Sequence, residues 1–211
     1  MSIEIKTLIF TALMALLSEP KVCRIESQSQ YVCDDATVTS VSKGSTIMLV
    51  GDSLAVGLGS HFHSMAKING YKPVSHTLSG TATTYWLTRM DQLLKQHSPK
   101  LVLMSLGTND SYGVGQHSPS PSHYQRMTDM VVNSGAILVW IAPPDIRKEK
   151  VVKINEVREM IKEISPLYFP SEKYHIPLID GIHTTGLGYG FWMKNVWSWL
   201  SEQKIVATSE K

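Results

Sequence analysis

No stretch of this chain is apolar for the ~20 residues a bilayer-spanning helix requires. Its 20 basic and 18 acidic residues are scattered, with a net charge of +2. A nucleic-acid groove calls for a basic stripe, and none is present. There are two cysteines, and no Cys–His cluster has zinc-ligand spacing, which argues against a structural metal. A Gly-rich phosphate loop is also missing, which counts against a nucleotide binder. There is no internal repeat, low-complexity segment or sign of a second folded domain. What remains is an ordinary globular balance, 43% apolar and 18% charged over 211 residues, enough for one domain with a full core.

The amino-terminal part differs from the rest. Thr7 to Leu17 (TLIFTALMALL) is an eleven-residue apolar run behind Lys6. That length suits the apolar region of an export signal, so residues 1–18 are expected to be a signal peptide. A buried first helix or an uncleaved anchor is the alternative. Cys23 and Cys33 follow closely, in an extension over 19–45. An oxidising compartment would let them close a small loop; two free thiols are the other reading. Export to a periplasm or the exterior is therefore expected, without stable membrane insertion once the signal is removed.

From Thr46 onward, over 46–205, strand-like and helix-like segments alternate. Thr46 to Val50, Pro73 to Leu78, Leu101 to Leu106, Ala136 to Ala142 and Tyr174 to Ile179 read as strands. The apolar runs among them suit strands buried on both faces. Helical spacing appears at Leu54 to Ile68, Thr83 to His97, Tyr124 to Asn133, Val151 to Ile164 and Leu187 to Gln203, with Gly135 as a helix stop. Five strands separated by helices imply a parallel sheet covered on both faces. At this length the natural topology is a flavodoxin-like α/β/α sandwich of strand order 2-1-3-4-5, with its site beyond the carboxyl ends of the strands.

The chemistry-bearing residues stand at those ends. Gly51-Asp52-Ser53-Leu54 follows the first strand, Ser79-Gly80 the second, Gly107-Thr108-Asn109-Asp110 the third and Asp180-Gly181-Ile182-His183 the fifth. A serine hydroxyl is a poor nucleophile without a base in reach. His183 can be that base, and Asp180, three residues earlier, can hold its tautomer and stabilise the imidazolium. A tetrahedral intermediate also needs donors for its oxyanion. The Ser53 and Gly80 N–H groups and the Asn109 amide can supply them.

In this order, GDSL at 51–54, Gly80, GTND at 107–110 and DGIH at 180–183 resemble the four blocks of the SGNH (GDSL-type) hydrolases. The resemblance spans roughly residues 46–190. It implies a flavodoxin-like fold, a Ser53 nucleophile, Gly80 and Asn109 as oxyanion donors, and His183 as base backed by Asp180, with no cofactor or metal. Ser53 does not sit in a G-x-S-x-G elbow, since position 55 is Ala55.

Asp52 and Asp110 adjoin helix starts or turns and read as capping residues. His61, His63, His76, His97, His117, His123 and His175 show no ligand spacing, and Trp192, Trp197 and Trp199 read as packing. Tyr85 and Trp86, just after Gly80, are candidates for a substrate wall, with core packing as the other reading. The loop Ser111 to Ser122 is placed to overhang the site. The expected activity is hydrolysis of carboxylic esters, with a small-molecule or carbohydrate ester as partner and acetylated envelope or extracellular glycan, including peptidoglycan, as the specific expectation. Alternatives are a short-chain acyl esterase, thioesterase or lysophospholipase, an acyltransferase to sugar hydroxyls, and a non-catalytic glycan-binding domain. Oligomeric state is not legible.

Overall fold

A computed structural model describes the backbone of 22–27 and 30–34, and residues 40–113, 118–147, 153–165 and 167–207 in full. The expected signal segment, 1–18, lies outside the described residues. Within a separate compact unit confined to 1–39, β1 (Val22–Ser27) and β2 (Gln30–Asp34) pair antiparallel. Their register sets Cys23 opposite Cys33. The side chains that would form the bridge lie outside the described residues.

The unit from Ser40 onward is built on five parallel strands: β3 (Thr46–Gly51), β4 (Lys72–Thr77), β5 (Leu101–Ser105), β6 (Ile137–Ile141) and β7 (Tyr168–Phe169). They lie in the order β4-β3-β5-β6-β7, which is 2-1-3-4-5 within the sheet. Among the described residues, six α-helices connect and cover them: α1 (Ser53–Ile68), α2 (Thr83–Leu87), α3 (Met90–His97), α4 (Pro121–Asn133), α5 (Ile154–Ile164) and α6 (Gly186–Glu202).

The apolar strand runs divide by parity, because successive side chains of a strand point to opposite faces. Met48, Val50, Val102, Met104, Leu138 and Trp140 join one core with Met90, Leu94, Tyr124, Met127, Val131, Val157 and Ile161 from α3, α4 and α5. Ile47, Leu49, Leu101, Leu103, Val139 and Ile141 are equally buried on the other face, where α1 packs against α6. Trp192 and Trp197 of α6 are buried, and Trp199 packs edge-on to Phe169, as the packing reading of these tryptophans expected.

Two element boundaries differ from expectation. The fifth strand is Tyr168–Phe169, paired with Trp140 and Ile141, and Tyr174 to Ile179 is not a sheet strand. Pro177 stands in the middle of that segment and has no N–H to give to a ladder. The second helical segment is also broken, into α2 and α3. Thr88 Oγ1 and Arg89 Nη1 both donate to the Tyr85 carbonyl, at 3.1 and 2.8 Å, while the Arg89 backbone N–H turns to Trp86 O. Side-chain competition for a carbonyl is a recognised way to end a helix.

Candidate active site

The site is assembled from four loops at the carboxyl edge of the sheet. At the end of β3, Gly51 lets β5 come close: a Cβ there would lie 2.0 Å from Ser105 O. Asp52 follows as the cap of α1, its Oδ1 accepting the Leu54 N–H at 2.9 Å. Ser53 is thereby the first residue of α1. Its N–H belongs to the helical turn whose donors have no partner within the helix.

The second contribution is a turn rather than a strand end. Asp180 Oδ1 accepts from the Ile182 and His183 N–H groups at 2.9 and 2.6 Å. An isolated Leu178–Thr184 bridge and an Ile179 N–H bond to His183 O at 2.7 Å close the turn beneath. Because a carboxylate only accepts, His183 Nδ1 is the protonated nitrogen, donating to Asp180 Oδ2 at 2.8 Å. Nε2 is left to accept the Ser53 hydroxyl at 2.9 Å, across 130 residues of sequence. These hydrogen bonds, the His183 side-chain bond foremost, hold the Asp180 carboxyl well below the usual carboxylate range.

α6 starts immediately afterwards, with Thr185 accepting the Gly188 N–H as its cap. Its Tyr189 ring fills the notch left by Gly57 of α1, where a Cβ would come within 2.1 Å of the ring. This close approach of α1 and α6 carries His183 to Ser53.

The oxyanion candidates lie on the next two loops. Gly80 has φ +78°, a left-handed conformation that favours glycine, and open space where its Cβ would be. Asn109 Nδ2 donates to Thr81 O at 3.0 Å and approaches Asp52 Oδ2 at 3.4 Å. The three loops bearing Ser53, Gly80 and Asn109 are therefore tied together by one side-chain amide. Asp110, next in sequence, caps α2 from a distance, accepting from Thr83 N–H and from Thr83 Oγ1–H. Burial raises its carboxyl pKa.

Of the proposed substrate wall, Trp86 is corrected. It is 4% exposed and belongs to the core, because α2 turns its indole inward, where Nε1 donates to Thr81 Oγ1 at 3.0 Å. Tyr85 is half-buried, with the Arg89 guanidinium 3.6 Å from its ring centroid. Of the loop Ser111 to Ser122, 114–117 lie outside the described residues. Among the described residues, no group of three or more His, Cys, Asp or Glu side chains is placed to hold a metal ion. Thr81 and the Asp110–Thr83 pair were missed from sequence. For Thr81 the only signal is its place directly after Gly80.

Burial, and then the nearby Asp110 charge, push the Asp52 carboxyl up from the ordinary 3.8 to about 7. Between these two values the folded chain holds a proton that the unfolded chain has released, so stability falls as pH rises through that window. An Asp52→Asn variant keeps the acceptor for Leu54 and cannot ionise. Its unfolding free energy, relative to the parent's, should rise between pH 5 and pH 8 by up to about 3 kcal/mol, from the roughly two units between pH 5 and about 7 at ~1.4 kcal/mol each. Denaturant titrations that give both proteins the same pH slope would show that Asp52 is ionised throughout.

The comparisons with known proteins follow this geometry. Residues 46–165 match the family described as a protein of unknown function (DUF459). An arylesterase of Vibrio mimicus is 31% identical over 144 residues, covering 59% of this chain and 68% of the relative. Among solved structures, an acetyl xylan esterase superposes with a TM-score of 0.63 at 16% identity, over 74% of this chain and 99% of that one. TesA superposes at 0.57 with 22% identity, over 75% and 99%. The acetylxylan esterase of Geobacillus stearothermophilus, as a catalytic mutant, superposes at 0.60 with 13% identity, over 78% and 96%. With more than half its length matched by one family and the flavodoxin-like sheet of the SGNH hydrolases beneath the match, the chain belongs to the DUF459 family within the SGNH hydrolase superfamily.

Proposed function

We propose that the protein hydrolyses carboxylic esters through an acyl-serine intermediate formed at Ser53. The observation that carries this reading is the continuous hydrogen-bonded line Ser53 Oγ–His183 Nε2, His183 Nδ1–Asp180 Oδ2, at 2.9 and 2.8 Å. Ser53 Oγ attacks the acyl carbon while its proton passes to His183 Nε2, and Asp180 stabilises the imidazolium. The carbonyl oxygen, now an oxyanion, takes hydrogen bonds from the Ser53 and Gly80 N–H groups and the Asn109 amide. Collapse expels the alcohol, which leaves with the proton from His183. Water then attacks the acyl-serine by the same sequence, releasing the acid. The arylesterase relative supports ester hydrolysis as the reaction class.

The site is open. The side chains of His183 and Asp180 are 37% and 45% exposed, which suits an ester carried on a bulky polymer. Acetyl groups on envelope or extracellular glycan are the substrate proposed. A second reading, an ester with an apolar acyl or aryl group, is favoured by exposed apolar side chains beside the site. Leu78 is 45%, Ile179 69% and Leu187 89% exposed. Leu78 donates its N–H to Gly51 O, and Ile179 donates to His183 O. We further propose that the chain is exported, supported by the apolar run Thr7 to Leu17 and the cross-strand register of Cys23 with Cys33.

p-Nitrophenyl esters from acetyl to octanoyl, assayed beside acetylated xylan and acetylated peptidoglycan, test both readings. Release of acetate from glycan, with kcat/KM falling as the acyl chain lengthens, is expected. A rise toward octanoyl with inert glycans would decide for the apolar substrate. A fluorophosphonate should label Ser53 alone, and a protein neither labelled nor active on any ester would overturn the reaction class.

A further inference from the structure

The structure assigns a positioning role to Thr81: its hydroxyl sets the geometry of two of the three oxyanion donors, the Gly80 N–H and the Asn109 amide. The inference rests on the ester-hydrolase reading above.

Thr81 is 8% exposed, and both of its oxygens are engaged. Its hydroxyl donates to Leu78 O at 2.7 Å, which closes the turn containing Gly80. The same oxygen accepts the Trp86 indole N–H at 3.0 Å, which anchors that turn to α2 and the core. Its carbonyl accepts one hydrogen of Asn109 Nδ2 at 3.0 Å. An amide nitrogen has two hydrogens in a fixed plane, so holding one against Thr81 O dictates where the other points; in the unliganded site that other hydrogen has only the long, 3.4 Å contact with Asp52 Oδ2. One residue thus joins the β4 loop, α2 and the β5 loop. Neither Gly80 nor Asn109 has any other described side-chain bond that ties it to α2.

The hydroxyl is the part that cannot be replaced by shape alone. In Thr81→Val the methyl that replaces the oxygen leaves the Leu78 carbonyl and the buried Trp86 N–H unpaired, an unfavourable state that the loop relieves by shifting. The Thr81 carbonyl moves with it, and Asn109 follows. Donors displaced by even a fraction of an ångström lose effect in the transition state, where the oxyanion exists, and little in substrate binding.

The test is kinetic and spectroscopic, with p-nitrophenyl acetate as substrate. Thr81→Val should lower kcat by roughly 10–100-fold with KM within about two-fold, and Thr81→Ser, which restores the hydroxyl, should recover kcat to within about three-fold. Asn109→Ala alone should cost roughly 10²–10³-fold. Adding Thr81→Val to it should cost no more than about five-fold further, because one of the two donors that Thr81 governs is already gone. In ¹⁵N-labelled protein, the Asn109 side-chain amide signals should shift in Thr81→Val and return in Thr81→Ser.

Unchanged kcat in Thr81→Val, equal losses in the Val and Ser variants, or a full repeat of the loss on the Asn109→Ala background would each overturn the assignment. Should Thr81→Val not fold, Trp86→Phe removes the same N–H from the other side. A several-fold drop in kcat at constant KM supports the role, and an unchanged kcat refutes it. If the parent hydrolyses no ester, the reaction class fails, and the Asn109 amide signals alone decide whether Thr81 positions that group.

Discussion

Ser53→Ala is expected to lower kcat by on the order of a million-fold, the loss seen when a serine hydrolase is deprived of its nucleophile. The described partner of Ser53 Oγ is His183 Nε2, and the capping of α1 is carried by Asp52. The variant should therefore fold and unfold like the parent. What survives should be a residual acceleration of about 10³–10⁴ over water, supplied by the oxyanion donors and by binding. Stopped assays at high enzyme concentration, with the melting temperature measured alongside, make the comparison. A well-folded Ser53→Ala protein that turns over esters at the parent rate would remove Ser53 from the reaction.

The next largest effect is expected from Asp180→Asn, at about 10⁴-fold in kcat. Asp180 accepts three hydrogen bonds, from the Ile182 and His183 backbone N–H groups and from His183 Nδ1. An asparagine can keep the two backbone bonds through its oxygen, so the turn should survive. It then presents an NH₂ group to Nδ1, which drives the ring to the tautomer with its proton on Nε2 and leaves nothing to accept the Ser53 proton. KM should change little. Asp180 itself is held far below the usual carboxylate range and stays charged under the assay conditions. An Asp180→Asn enzyme within ten-fold of the parent would contradict this division of labour.

Much of the architecture is legible in the sequence because its signals are local. β3, β5 and β6 are short apolar runs between breakers, and a strand buried on both faces needs nothing else to be recognised. The strand-end motifs are legible for the same reason: Ser53 lies two residues after β3 ends, and Asn109 four after β5. Asp180 and His183 are found from their spacing, although the strand thought to precede them is absent. The segment that pairs with β6 is the two-residue Tyr168–Phe169. So short a strand has no period to read, whereas Tyr174 to Ile179 has the apolar content of a strand and a proline that bars it from the sheet.

Sequence by itself therefore determined the first four strands and the residues of the candidate triad, since each depends on composition and spacing within a few positions, while the strand order followed from the topology natural to five alternating strands at this length. Tertiary structure alone decided which of those residues touch. The 2.9 Å approach of His183 to Ser53 depends on α1 and α6 packing through Gly57 and Tyr189. The knot at Thr81 depends on an indole from α2 and an amide from the β5 loop meeting one hydroxyl and its carbonyl. The raised Asp52 carboxyl depends on complete burial beside Asp110. Burial and contact between distant segments arise only when the chain closes on itself, and no local pattern encodes them.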